Sequence, residues 1–420
     1  MTGGLTVERI CEGYCMNVLM IAPGYPDEMP LFCRGLSTFG ANVFGISDVP
    51  VGNLPEMTRR HLAGYLQTSM LNQEDKVVAE VTAHWAGKTF DRVICLWEPG
   101  VVLAARLRAA LGVAGMSIED AIAFRNKDIM KARVAAAGIR TPRHRGARTA
   151  AEVRAAAEEI GYPLIIKPID GAGSMDTFRV DDVQELDAAI KRMPHIDHVN
   201  IEEFIEAEEF TFDTICVNGE MQFFNIGFYR PRPLVARQVE WISPQTLCLR
   251  DVDSEWVSGG RQMGADVLKA MNPGNAFTHM EWYRKSDGEV VFGEIAARPP
   301  GARTVDLMNY VSDIDLYMGY AEAELQGTFS LDVTRKYNAI NIFKRAQGQG
   351  TVRRISGLEQ LVQRFGEHIV NIDLLPVGTA RRDWVLTLIS DGYVTVRHPD
   401  FEQACLIADA IGTDLQLYAS

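Results

Sequence analysis

No apolar run in these 420 residues approaches the ~18 needed for a membrane-spanning helix, so no such helix is expected. The opening residues lack the charged and apolar regions of a signal peptide. The seven cysteines (Cys11, Cys15, Cys33, Cys95, Cys216, Cys248 and Cys405) follow no disulfide or zinc spacing. Cys11 and Cys15 are the one close pair, with no second pair to complete a metal site. These absences fit a reducing compartment and predict a cytoplasmic protein. Excess basic charge is also missing: the net charge of −13 argues against non-specific nucleic-acid binding. After the first strand-like run the chain reads Ala22-Pro23-Gly24-Tyr25-Pro26, which is not the dinucleotide fingerprint G-x-G-x-x-G. The P-loop pattern is absent too. So are any repeat of roughly 20–50 residues and any low-complexity linker.

What remains is an ordinary globular composition, 47% hydrophobic and 23% charged. The length suits roughly two to four domains. Residues 1–15 read as an extension before the first strand. Asn17–Ala22, Leu31–Gly40 and Ala41–Ser47 then read strand, helix, strand, and Arg92–Leu96 with Val101–Leu111 repeat the unit. Residues 1–120 are therefore predicted to form a doubly wound domain with a parallel sheet. A section of short strands and helices follows, with helices expected at Asn126–Ala137, Ala151–Ile160 and Asp182–Arg192 and strands at Leu164–Lys167, Phe178–Val180 and Val199–Phe204. From about Glu209 strands dominate (Thr211–Val217, Gln222–Tyr229 and a hairpin), before a helix at Ile314–Leu325. Residues 332–420 read as a C-terminal α+β domain, with strands at Ala339–Lys344, Trp384–Ser390 and Tyr393–Arg397 and helices at Gly357–Phe365 and Phe401–Ile411.

The hairpin Phe277–Arg303 carries the clearest chemistry. Asp287-Gly288 is a two-residue turn signal between β-rich runs, and counting outward sets Tyr283 against Phe292, Glu281 against Glu294 and His279 against Ala296. His279, Glu281 and Tyr283 would then share a face with Phe292, Glu294 and Ala296. Opposed carboxylates repel unless a cation lies between them, and magnesium holding phosphate oxygens suits hard oxygen donors. Arg298 and Arg303 follow closely and suit further anionic oxygen. Two solvated surface glutamates explain the hairpin equally well. Upstream, Lys167 ends a strand and runs into Asp170-Gly171-Ala172-Gly173-Ser174, where glycines let backbone N–H groups approach phosphate. A plain turn also accounts for those glycines. Lys127 stands at a helix start, the usual place for an exposed lysine. The acidic run Glu202 to Glu209, with Phe204 and Ile205, reads as a hinge beside an adenine or as an acidic surface loop.

Taken in order, Lys127, Lys167 with its glycine loop, Glu202-Glu203-Phe204-Ile205, Glu209, Glu281, Glu294 and Arg298 resemble the ATP-grasp superfamily over roughly residues 118–325. The resemblance implies an ATP-grasp domain at 121–331, with a lid lobe near 127–204, between the flanking N- and C-terminal domains. It implies that Lys127 and Lys167 contact ATP phosphates and that Gly171, Gly173 and Ser174 cover them. Glu202, Phe204 and Ile205 would line the adenine and Glu209 the ribose. Glu281 and Glu294 would hold magnesium, or manganese, and Arg298 would stabilise transferred phosphate. Where the family often has asparagine two residues after the second glutamate, this chain has Ala296, which implies that one of the usual two magnesium ions is held more weakly, or by substrate or water. His279 is the one neighbouring candidate to replace that ligand. The Glu-x-x-x-Arg spacing points to the amino-acid and dipeptide ligase branch.

Arg303 is a candidate for binding a substrate carboxylate, with Arg230, Arg232 and Trp241 in a segment expected to face the same cleft. The implied reaction activates a small carboxylate as an acyl phosphate, with ADP released, and couples it to an amine. A homodimer is expected by resemblance alone. An ATP-grasp ligase with a thiol or bicarbonate acceptor and a non-catalytic nucleotide-binding module stand as alternatives.

Overall fold

The computed structural model describes residues 15–171, 176–193, 195, 197–387 and 389–420. The expected extension at the start of the chain, Cys11, Gly173 and Ser174 lie outside the described residues, apart from Cys15. Four parallel strands form the first sheet in the order Leu62–Gln67, Asn42–Ser47, Asn17–Ile21, Arg92–Cys95. Three of these were expected. Leu62–Gln67 was not, because its half-exposed residues lack the apolar signature of a buried strand.

An eight-stranded sheet organises the rest of the molecule. Its order runs Val290–Ala296, Ala276–Arg284, Glu208–Val217, Glu220–Arg230, Gln245–Cys248, Asn338–Phe343, Gly392–His398, Ile369–Leu374, and every pairing is antiparallel. Asn338–Phe343, Gly392–His398 and Ile369–Leu374 thus extend the same sheet, while Gln347–Gly348, Gln416–Ala419 and Val352–Ser356 form a small separate one. One face is apolar, with Phe210, Phe212, Met280, Trp282 and Phe292 packed beneath the helix Glu255–Met271. A Cβ on Gly260 would lie 2.1 Å from the Trp282 ring, so glycine is what lets this helix lie flat on the indole. This 17-residue helix was not foreseen in a section read as mostly strands.

The parallel-sheet unit docks on the large sheet through one continuous core in which Phe32 packs against Phe277, Tyr317 and Tyr320. Gly35 permits the contact, because a Cβ there would meet the Tyr317 carbonyl at 2.4 Å. A separate four-stranded antiparallel sheet, ordered His144–Ala147, Val199–Glu203, Leu164–Pro168, Phe178–Val180, has its own small core and faces the large sheet across a cleft. No described helix is long and apolar enough to cross a membrane.

Two local expectations are corrected. Trp384–Ser390 is not a strand: its described residues form turns and Leu386 is largely exposed. The place beside Gly392–His398 is taken by Ile369–Leu374. In the hairpin, Tyr283 pairs with Val291 and Trp282 with Phe292, so Phe292 joins the apolar face instead of the glutamate face. The turn holds three residues, since the Lys285 amide bonds the Glu289 carbonyl at 2.9 Å and Gly288 is left-handed at φ +89°. A bulge between Glu281 and Trp282 then shifts the register back, and Glu281 faces Glu294 with His279 facing Ala296, as counted from the sequence.

Candidate active site

Alternation along the hairpin strands points His279, Glu281, Tyr283 and Glu294 away from the apolar core and into the cleft between the two antiparallel sheets. Two cavities meet at this wall, and Glu281 and Glu294 line both. The first, about 710 Å³, is also lined by Lys127, Lys167, Gly171, Glu202, Phe204, Ile205, Glu209 and Arg232. Nine residues named from sequence on ATP or metal grounds therefore converge on one place. The second, about 960 Å³, contains Arg298 and opens toward the C-terminal strands.

Local sequence explains how the cations reach the first cavity. The Asn126 side chain caps the next helix by accepting from the amides of Asp128 and Ile129, which puts Lys127 in the first turn and Lys131 one turn on, on the same face. Lys127 Nζ donates to the Gly171 carbonyl at 2.7 Å and lies 3.6 Å from Glu294. Lys167, at the end of its strand, lies 3.1 Å from Glu202 and 3.4 Å from Glu294. Lys131, missed in the sequence because nothing marks it apart from other helix lysines, is fully buried and paired with Glu202.

This network fixes the charges. Burial opposes ionisation of Glu294, but Lys127, Lys167 and Lys131 outweigh it and hold its carboxyl well below the usual range. Burial likewise acts against the charge on Lys167 and is outweighed by Glu202 and Glu294, so its pKa is raised. Lys131 goes the other way, pulled down to about 8 by burial against the attraction of Glu202. Glu209 is pushed up to about 7 by burial and by Glu281, although Arg232 lies 3.0 Å away.

Backbone groups near the cleft are partly engaged. The Phe204 amide donates to the Pro163 carbonyl at 3.2 Å, and the Ile205 carbonyl accepts from Arg232 at 3.0 Å. Opposite Ala296, His279 Nδ1 meets the buried Asp213 carboxylate at 2.5 Å, and its Nε2 lies 3.8 Å from Glu281. Burial lowers the imidazole pKa, but the charge and hydrogen bond of Asp213 prevail and raise it to about 9.

Arg298 is held by a residue from the other side of the molecule. Glu98, in a 3-10 turn just after the last strand of the parallel sheet, accepts from Arg298 Nε at 2.9 Å and from Arg125 Nη1 at 2.5 Å. No sequence signal marked Glu98, because it lies 200 residues from its partner. Arg303 is not brought into this cleft. Its side chain pairs with Asp306 at 2.7 Å and lines a separate groove with Arg34 and Tyr393. Arg230 pairs with Asp409 at 2.9 Å, Trp241 is largely exposed, and only Arg232 of that group reaches the first cavity.

Two antiparallel sheets thus enclose a lysine- and glutamate-lined cleft. Residues 125–228 match the model of the ATP-grasp domain. The crystal structure of an L-amino acid ligase from Bacillus licheniformis superposes with a TM-score of 0.79 at 20% identity, over 97% of this chain and all of that one. The chain thus has the ATP-grasp fold. Its similarity extends to the carboxylate–amine ligases. The L-arginine-specific L-amino acid ligase of Bacillus subtilis is 26% identical over 294 residues, 68% of this chain and 70% of that protein. The alanine–anticapsin ligase of Bacillus subtilis is 24% identical over 271 residues, 58% of this chain and 56% of that protein.

Proposed function

We propose that this protein joins the carboxylate of one amino acid to the amine of another, converting ATP to ADP and phosphate. The observation that carries this reading is the wall shared by the two cavities, with Glu281 and Glu294 facing each other between a lysine-lined space and an arginine-lined one.

The first cavity suits ATP. Lys127 and Lys167 bind its phosphates, exchanging their contacts with Glu294 for phosphate oxygens. Phe204 and Ile205 flank the adenine beside Glu202, and Glu209 accepts from the ribose hydroxyls. Gly171 lines the cavity beside the Lys127 ammonium group, next to the phosphates. Glu281 and Glu294 fit magnesium, because they offer opposed hard oxygen donors that otherwise repel. Glu281 and Glu294 would hold the ion against the phosphates of the nucleotide. When bound, magnesium supplies charge neutralisation to the phosphates.

In the second cavity the substrate carboxylate oxygen attacks the γ-phosphorus, the bond to the β-phosphate oxygen breaks, and ADP leaves an acyl phosphate. Arg298, fixed by Glu98, stabilises charge on the transferring phosphoryl group and then on the tetrahedral centre. The amine attacks the acyl carbon, loses a proton and expels phosphate, forming the amide. No side-chain nucleophile is required, and positioning does most of the work. The small sheet closes over the cleft as a lid to keep water from the acyl phosphate. Gln in place of Glu294 removes one opposed carboxylate and lowers turnover by about 100-fold. Incubation with ATP, magnesium and pooled amino acids tests the reading. ADP and phosphate formed only with a carboxylate, and lost in Glu294→Gln, support it; AMP with pyrophosphate would refute it.

A further inference from the structure

The second cavity contains two arginines that lack what the other arginines around the cleft possess. Arg298 and Arg125 share Glu98, Arg232 has Glu209, and Arg381 has Glu240. Arg237 and Arg345, on the cavity wall away from the nucleotide, form no ion pair among the described residues. Arg345 is about nine-tenths buried and stacks on Trp384 at 4.4 Å from the ring centre. It donates to the carbonyls of Ala236 at 2.9 Å and Val239 at 2.7 Å. Arg237 donates to the Val385 carbonyl at 2.7 Å and lines the cavity. Burial lowers both guanidinium pKa values; for Arg345 the charge of Arg237 adds to the effect, and the nearby carboxylates of Glu240 and Asp391 oppose it.

Arg237 is half-buried with no carboxylate partner among the described residues, and Arg345 feels Glu240 and Asp391 without pairing with either, so both guanidinium groups can take an added anion. Planar guanidinium forks match carboxylate geometry. The carboxylates lining this cavity are Glu281 and Glu294, and both lie on the wall shared with the nucleotide cavity. A cationic side chain at the Arg237 end would meet like charge. That distinguishes this cavity from one suited to arginine, the substrate named for the Bacillus subtilis relative.

We propose that Arg237 and Arg345 anchor a second carboxylate, the one that is not phosphorylated during the reaction. This inference rests on the ligase reading. The anchored group is either the α-carboxylate of the amine substrate or the side-chain carboxylate of an acidic amino acid.

The test is a competition between pooled L-amino acids and their amides, with ATP and magnesium, read by mass spectrometry. Amides serve only as acceptors, so products are dipeptides or dipeptide amides. An anchor for the α-carboxylate gives dipeptides about 100-fold over dipeptide amides, since a site built for a charged group rejects the analogue lacking it. In Arg237→Gln that ratio falls below about 10, whereas Arg345→Lys, which keeps the charge, retains more of it. An anchor for a side-chain acid instead gives products of both kinds enriched in aspartate or glutamate, and Arg237→Gln abolishes the enrichment. Equal use of acids and amides without acidic enrichment overturns the proposal. If no condensation product forms, the ligase reading fails and the anchor is judged by calorimetric titration with glutarate. Binding to wild type that is lost in Arg237→Gln sustains it, and no binding to wild type overturns it.

Discussion

Replacing Glu98 by glutamine would test whether the parallel-sheet unit takes part in catalysis. The Glu98 carboxylate is mostly buried, and its two oxygens divide between Arg125 at 2.5 Å and Arg298, whose Nε and Nη2 are both at 2.9 Å. Glutamine has one acceptor oxygen and turns a donating NH₂ toward the other guanidinium. One arginine therefore loses its partner, and both lose the counter-charge. Charge-assisted hydrogen bonds contribute about 1.5–3 kcal/mol each, and Arg125 and Arg298 keep one carbonyl apiece, Asp170 and Pro299. The expected stability loss is about 3 kcal/mol. In the mechanism proposed above, Arg298 freed from Glu98 would lose its orientation toward the transferring phosphoryl group, and kcat should fall about 100-fold. The KM for ATP should stay within about threefold of wild type, since Lys127 and Lys167 are untouched. Steady-state ADP release gives both constants, and thermal melting with ADP binding checks that the fold survives. A kcat within about threefold of wild type in a folded variant would refute the idea that Glu98 positions Arg298.

Three further outcomes follow from the charge network. Lys131→Met leaves Glu202 with Lys167 alone in a buried setting and should cost about 3 kcal/mol in denaturant melts; an unchanged midpoint would show that the methionine packs as well as the ion pair. Glu324, buried where the helix Leu316–Gln326 meets the parallel sheet, is raised to about 7 by burial, against the pull of Arg108 and Arg92. A raised carboxyl favours the fold below the unfolded value near 4.5 and loses that contribution as pH rises through 7. Glu324→Gln should remove a slope worth about 3 kcal/mol between those limits, measured by melts across pH. His279 is committed to Asp213, so His279→Gln should leave the magnesium dependence of ADP release unchanged; a lost or steeper dependence would make His279 a metal ligand.

Periodicity and turn chemistry in the sequence determined the elements that bury an apolar face or end at glycine. The three buried strands of the parallel sheet, the capped helix after Asn126 and the hairpin that opposes Glu281 to Glu294 were all legible by counting. The hairpin succeeded through two offsetting features, a longer turn and a compensating bulge, neither of which local sequence announces. The order of lysines, glycines and glutamates along the chain was enough to point to the ATP-grasp resemblance, because each carries its own chemistry. Only tertiary structure decided which charges meet. Glu98 reaches Arg298 across 200 residues, and Arg303, five residues beyond Arg298, turns into a different groove. Lys131 looks like any surface helix lysine until burial and Glu202 define it. In the second cavity Arg237, Arg345 and Trp384 come together from three separate stretches of the chain. Local propensity acts over a few neighbouring residues, whereas buried charge is matched through space.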